Sequence, residues 1–396
     1  MQSVTIEKNQ AGQRLDKFLR KFMPEAGTGF LYKMLRKKNI TLNGKRAEGG
    51  EILSAGDSLS FFFSPETFAK MTGSSLRVAK SQPEVQDSPK GCLKGGKQPL
   101  REYAEDPEGR KFSGRDRVDV RDPAAEYIRA YRILSGSGIS VLYEDDNILA
   151  AHKPAGILTQ KAAATDSSLN EWLVGYLLEK GCLSPEELRT FKPSVCNRLD
   201  RNTSGIVLCG KSLAGSQHLG RCIRERRIRK IYRTVCVGEI SREMTLRGYL
   251  EKDRANNKVS VGTKAAQEQD FIETVCRPLA VSGDFTLLEV DLITGKPHQI
   301  RAHLASIGHP LIGDPKYGDD KVNRYFRRRF NLQYQLLHAY KAELPDMESA
   351  GMRDAGLGDA APEDAGKGII VLAPYPRIFP EIMDELRLEE PYRKVN

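Results

Sequence analysis

The chain is expected to fold as an α+β protein, a mixed and largely antiparallel sheet with flanking helices, preceded by a small module of two helices and hairpins. Three observations predict this. From about residue 139 onward, strand-like runs come in clusters rather than in regular alternation with helices, which disfavours a doubly wound parallel sheet. Near the start, apolar residues recur at spacing three and four, the mark of amphipathic helices. Between these regions lies a stretch too polar to offset the entropy of ordering it. A chain of 396 residues has room for two or three domains.

Residues 1–66 form the first unit. Leu15, Phe18, Leu19 and Phe22 mark one face of a helix whose other face carries Arg14, Lys17, Arg20 and Lys21. A second helix over 30–37 turns Leu31, Met34 and Leu35 inward and ends in Arg36-Lys37-Lys38. Asn43-Gly44, flanked by Ile40-Thr41-Leu42 and Lys45-Arg46, signals a hairpin. Gly56-Asp57 turns the chain into a strand over 58–63. Such a basic surface, with Arg14, Arg36, Lys37 and Lys38, suits docking on a phosphate backbone; standing alone it is a solvated face. Residues 67–137, rich in Gly, Ser, Pro, Lys and Glu, read as a flexible linker with a short helix near 124–134.

Residues 138–396 form the second unit. Strands are expected at 141–143, 148–151, 206–209, 232–237 and 285–292, and helices at 168–179, 213–226 and 297–307.

The net charge of +10 points to an anionic partner, nucleic acid first. The seven cysteines stand singly, with no Cys-x-x-Cys pair, so no zinc site, redox motif or disulfide framework is indicated. No signal-peptide core opens the chain, and no run approaches the roughly 20 apolar residues of a membrane span. The expectation is a cytoplasmic protein with no membrane association, no metal and no cofactor.

Four segments carry chemistry. Residues 196–205 place Asp200 between Arg198 and Arg201 in a turn-forming stretch before an apolar strand. Guanidinium groups nearby would keep that carboxylate ionised, as nucleophile or electrostatic stabiliser. The alternative is a surface Arg–Asp pair bracing a loop. Residues 151–156 hold Lys153 in a turn, where it could meet a phosphate. Around 221–233, six arginines and Lys230 surround the single acid Glu225, and Tyr232 stands among them. Phosphates relieve such repulsion, and a ring so placed can stack on an unstacked base; a strand tyrosine is otherwise a core residue. Residues 294–304 contain Lys296, His298, Gln299, Arg301 and His303. Pro297 suits a first helical turn, with Ile300, Leu304 and Ile307 as the apolar stripe. Arg301 adjoins that stripe and needs an acidic partner. His298 and His303 are not at the i, i+4 spacing of a helical zinc site.

Taken together these segments resemble the RluA family of pseudouridine synthases. The resemblance rests on Arg198-Leu199-Asp200 with Thr203-Ser204-Gly205, on Lys230-Ile231-Tyr232, and on His298-Gln299-Ile300-Arg301-Ala302-His303-Leu304. Gly308 through Gly318 and Leu337-His338-Ala339 add to it. It implies a catalytic Asp200, an active-site Tyr232 and an Arg301 that pairs with Asp200. It also implies phosphate or RNA contacts from Arg198, Arg201, Lys153, Lys230, Lys296, His298 and Gln299, no cofactor, and a monomer. Asn197 and Lys296 depart from the family's usual His and Arg. The first unit resembles the S-four-like RNA-binding domain through Gly12 to Leu19 and Ile40 to Lys45. The implied activity is isomerisation of uridine to pseudouridine in RNA, large-subunit ribosomal RNA before transfer RNA. An RNA-binding assembly factor without catalysis is the alternative. A glycosidase is disfavoured, because its chemistry wants two facing carboxylates and no second acid stands out near these motifs.

Overall fold

A computed structural model describes residues 1–73, 124–253, 258–262, 271–345 and 368–390. The first unit has strands β1 (Gln2–Thr5), β2 (Ile40–Leu42), β3 (Lys45–Arg46) and β4 (Ser58–Phe61), and helices α1 (Leu15–Phe22), α2 (Thr28–Arg36) and α3 (Pro65–Thr72). The antiparallel sheet runs β1-β4-β2-β3. Asn43 and Gly44 both take positive φ, 51° and 72°, as the tight hairpin between β2 and β3 demands. Leu15, Phe18 and Leu19 are fully buried, and Phe22 stacks on Phe18 and Phe61, each at 5.6 Å.

Residue 67 does not begin a linker. Ser64 caps α3 by accepting from Thr67 N, Pro65 opens the helix, and Phe68 packs edge-on against Phe61 at 5.4 Å. A polar composition concealed one apolar residue at the right place to finish a core. Residues 74–123, the bulk of the expected linker, lie outside the described residues. The helix expected near its end is present as α4 (Ala125–Leu134), where Tyr131 packs on Trp172 and Tyr176 of the next domain.

The second unit centres on one large sheet. Its strands are β5 (Ser140–Glu144), β6 (Ile148–Lys153), β7 (Ser194–Val195), β8 (Ser204–Gly210), β9 (Arg229–Val237), β10 (Met244–Asp253), β11 (Lys258–Gly262), β12 (Phe271–Ser282), β13 (Phe285–Leu292), β14 (Leu337–Leu344) and β15 (Ile369–Leu372). The order is β11-β10-β12-β13-β9-β14-β8-β6-β5, with β15 on β14 and β7 on β8. All pairings of named strands are antiparallel except β8 with β14. The helices are α5 (Leu169–Glu179), α6 (Leu213–Arg224), α7 (Gln299–Ser306), α8 (Asp320–Phe330) and α9 (Ile378–Glu385).

The expected mixed, largely antiparallel α+β architecture is therefore present. Leu149, Ala151, Val207 and Cys209 join the core around α5, while Ile148, Ala150, Ile206 and Leu208 meet Leu219 and Cys222 of α6. Both faces of β6 and β8 are thus covered, which is why these strands read as unbroken apolar runs. Where β8 meets β14, Gly205 has φ of 115°, and a Cβ there would stand 2.2 Å from the Ala339 carbonyl oxygen. Only glycine permits that approach.

Candidate active site

Asp200 sits in the loop between β7 and β8, and side chains grip the backbone on either side of it. Thr159 Oγ1 donates to Leu199 O at 2.8 Å and accepts from Leu199 N at 3.2 Å. Lys153 Nζ donates to Arg201 O, Pro154 O and Ile157 O at 2.8–2.9 Å. Gln335 Nε2 donates to Thr203 Oγ1. Asn197 accepts from Leu208 N, so this departure from the family pattern has a structural use. The loop is fixed by side-chain-to-backbone bonds rather than by a ladder, and this leaves Asp200 partly exposed, at 26 % of its side chain.

Lys153 corrects an expectation. It is 0 % exposed, and its three donors all meet carbonyls, so it has no donor for a phosphate. Burial lowers its pKa to about 7, with Asp200 pulling the other way. Three acceptors match the three N–H groups of the ammonium and favour the charged form. Its position at the end of β6, not in an open loop, accounts for the difference.

The guanidinium beside Asp200 is a second correction. Arg198 and Arg201 flank it in sequence, yet both are exposed, and Arg201 Nε donates to Gly156 O. Asp200 opens a tight turn closed by Thr203 N donating to its carbonyl at 3.0 Å, and the flanking side chains diverge there, so sequence adjacency does not make an ion pair. Arg301 does. It reaches from α7, 4 % exposed, with Nη1 3.2 Å from Asp200 Oδ2. Its Nε and Nη2 form a fork on Asp314 at 2.7 and 2.8 Å. Burial opposes the charge, but Asp314 and Asp200 more than offset it and raise the Arg301 pKa.

Asp314 is the residue that sequence reasoning missed. It is 0 % exposed, and its Oδ1 also accepts from Lys316 N and Tyr317 N. Asn323 of α8 holds its backbone from both sides, accepting from Gly313 N and donating to Asp314 O. A lone acid between Gly313 and Pro315, set in a turn, was the available signal. Exposed Lys321, Arg324 and Arg328 form a basic stripe on the outer face of α8, also unremarked in the sequence.

Tyr232 stands on β9, opposite Ala339, with 5 % exposure. Burial, reinforced by the charge of Asp200, holds its phenol above the ordinary range. It stays protonated at neutral pH and belongs to the same apolar cluster as Leu199, Ile300 and Leu337.

His298 lies at the start of α7, its Nε2 3.8 Å from Asp200 Oδ2 and its Nδ1 3.0 Å from Tyr317 Oη. Burial lowers its pKa, against the pull of Asp200. Helix α7 begins at Gln299 rather than at Pro297, because His298 takes a left-handed conformation. Ile307, expected in the apolar stripe, is exposed at the helix end. Gln299 is a further correction to the RNA-contact set. It is 2 % exposed, accepts from Thr294 Oγ1 and Lys296 N, and donates to Glu273 O and Thr274 Oγ1. Lys296 is exposed, and Lys230 is half-buried beside Gly295. In the first unit Arg36, Lys37 and Lys38 are exposed, while Arg14 bonds Asp16.

The site thus joins a partly open carboxylate, a buried arginine braced by a second carboxylate, and a buried phenol. Residues 147–306 match the family described as RNA pseudouridylate synthase. It is 26 % identical over 345 residues to the ribosomal large subunit pseudouridine synthase C of Vibrio cholerae serotype O1, covering 86 % of this chain and 87 % of the relative. The protein of the same name from Rickettsia bellii is 27 % identical over 327 residues, covering 82 % and 87 %. Among solved structures, the human RNA pseudouridylate synthase domain containing 4 aligns with a TM-score of 0.49 at 19 % identity, covering 67 % of this chain and 98 % of that one. Among the described residues no helix is long and apolar enough to cross a membrane.

Proposed function

We propose that this protein converts specific uridines of large-subunit ribosomal RNA to pseudouridine, with Asp200 as the reacting group. The reaction breaks the N1–C1′ bond, turns the base and joins C5 to C1′. C5 loses its proton and N1 gains one, so nothing is oxidised and no water is consumed. The observation that carries the assignment is the Asp200–Arg301–Asp314 chain. Asp314 anchors the Arg301 fork, and Arg301 in turn holds one oxygen of Asp200. Both the Arg301 and His298 contacts fall on Oδ2, whereas Oδ1 makes no hydrogen bond among the described residues. Oδ1 is therefore the oxygen available as nucleophile or proton acceptor.

The target uridine must leave its stack, which costs a few kcal/mol. Exposed cations offset that cost by replacing counterions on the phosphates. Exposed Arg198, Arg201, Lys296 and the α8 stripe are the cations available for this in the second unit, and the first unit adds Arg36, Lys37 and Lys38 as an S-four-like RNA-binding domain. Tyr232 packs on the extruded base. The enzyme acts in the cytoplasm as a monomer, with no cofactor. The names of the relatives, both ribosomal large subunit synthases, support the choice of RNA.

The test is pseudouridine mapping of ribosomal and transfer RNA from cells with the gene intact, deleted, or carrying Asp200→Asn. Loss of modification at the same sites of large-subunit RNA in both mutants is expected. Unchanged pseudouridine in every RNA would leave a non-catalytic RNA-binding factor as the better account.

A further inference from the structure

Histidine is a poor local choice at position 298. The residue has φ of 55° and ψ of 13°, in the left-handed region that favours glycine and asparagine. It is also the N-cap of α7, a position that favours Ser, Asp, Asn or Gly, and its side chain makes no capping hydrogen bond. Either preference alone would select asparagine or glycine. A residue kept against both preferences is held there by something its side chain does.

The ring is oriented from behind. Tyr317 Oη accepts from Val259 N at 2.9 Å and lies 3.0 Å from His298 Nδ1. Where that hydroxyl donates to Nδ1, the imidazole proton resides on Nε2. Nε2 is the atom that faces Asp200 Oδ2, at 3.8 Å. The same tyrosine ring lies under the Arg301 guanidinium, 5.1 Å from its centroid. One residue thus sets the two donors that converge on a single carboxylate oxygen.

We infer that His298 is a positioning residue for Asp200: as an Nε2–H donor it joins Arg301 in fixing Oδ2, so that Oδ1 is presented to the ribose and base. This rests on the reading of Asp200 as the reacting group. The gap to Oδ2 is longer than a hydrogen bond and closes when the RNA seats in the site, as contacts of unliganded active sites commonly do. Nothing in this role requires His298 to touch the RNA.

The experiment uses the full chain and an in vitro transcript of large-subunit ribosomal RNA, with single-turnover rate, KM and thermal midpoint measured for each variant. His298→Asn and His298→Gly suit the left-handed backbone, so their midpoints are expected to equal or exceed the wild type. Their rate constants are expected to fall about tenfold to a hundredfold, the loss that follows misplacement of a reacting group, while KM stays within about twofold. His298→Gln, whose amide nitrogen reaches the place of Nε2, is expected to restore most of the rate. Wild-type rates in the Asn and Gly variants would overturn the inference. So would a Gln variant as slow as Asn, or a drop in midpoint that tracks the loss of rate. If the wild type itself makes no pseudouridine, the reading of the enzyme fails instead.

Discussion

Positive charge is handled in opposite ways at the two ends of this molecule. In the first unit Arg36, Lys37 and Lys38 stand exposed at the end of α2, outside a core of leucines, isoleucines and phenylalanines. In the second unit Arg301 is buried, forked on Asp314 and in contact with Asp200. An exposed, unbraced cation can follow a mobile polyanion, but it gives little geometric precision. A buried one, with three donors engaged, holds the neighbouring carboxylate to a narrow range of positions at the cost of desolvation. Under the proposed function, the comparison separates affinity from chemistry along the chain.

The contrast is broken most directly at Asp200. Asp200→Asn is expected to lower turnover by about a thousandfold or more while the fold stays intact, read by pseudouridine formation and circular dichroism. Turnover near wild type would move the chemistry elsewhere. Asp314→Asn should act on both stability and rate, because it leaves the Arg301 charge buried and half-compensated. A loss of about 3–5 kcal/mol in denaturant unfolding is expected. Arg377→Gln, which removes an exposed pair with Glu381, should change stability by less than about 0.5 kcal/mol. Equal effects at the two sites would erase the distinction.

A third test uses acid. His338 is 0 % exposed, 2.8 Å from Ser204 Oγ, and burial lowers its pKa from 6.5 to about 4. Below pH 6.5 the unfolded chain takes up a proton that the folded chain refuses, so stability is lost as pH falls from 6.5 to 4. The group accounts for about 3 kcal/mol of that loss, and His338→Gln should flatten the slope of unfolding free energy against pH over that window. The smallest effect is expected from changing Arg36, Lys37 and Lys38 to Gln together. The slope of log affinity against log salt should fall by about 2, as three lost phosphate contacts on single-stranded RNA predict. An unchanged slope would remove the first unit from the RNA interface.

Legibility in the sequence followed the same division. The five expected strands of the second unit and the Asn43-Gly44 turn were readable because period and turn chemistry are local properties. Asp200 and Arg301 were readable as a pair because the resemblance supplied what spacing could not, since 101 positions separate them. Lys153, Gln299 and Asp314 were not readable in their true roles. Whether a polar side chain faces solvent or a ring of carbonyls is decided by packing that closes around it from distant segments. For the same reason Arg198 and Arg201 looked like the partners of Asp200 although neither is.

The parallel junction of β8 with β14 has a temporal consequence. Asp200 leads into β8, which is locked through Ser204 and Gly205 to His338 and Ala339, some 134 positions later. Arg301 and its brace Asp314 also lie beyond every residue that shapes the loop around Asp200, Gln335 excepted. During synthesis the loop therefore exists for well over a hundred residues before the strand that pins its far end can pair. Long-range pairings of this kind form late and slowly. Fragments ending before residue 337 are therefore expected to be inert in RNA modification.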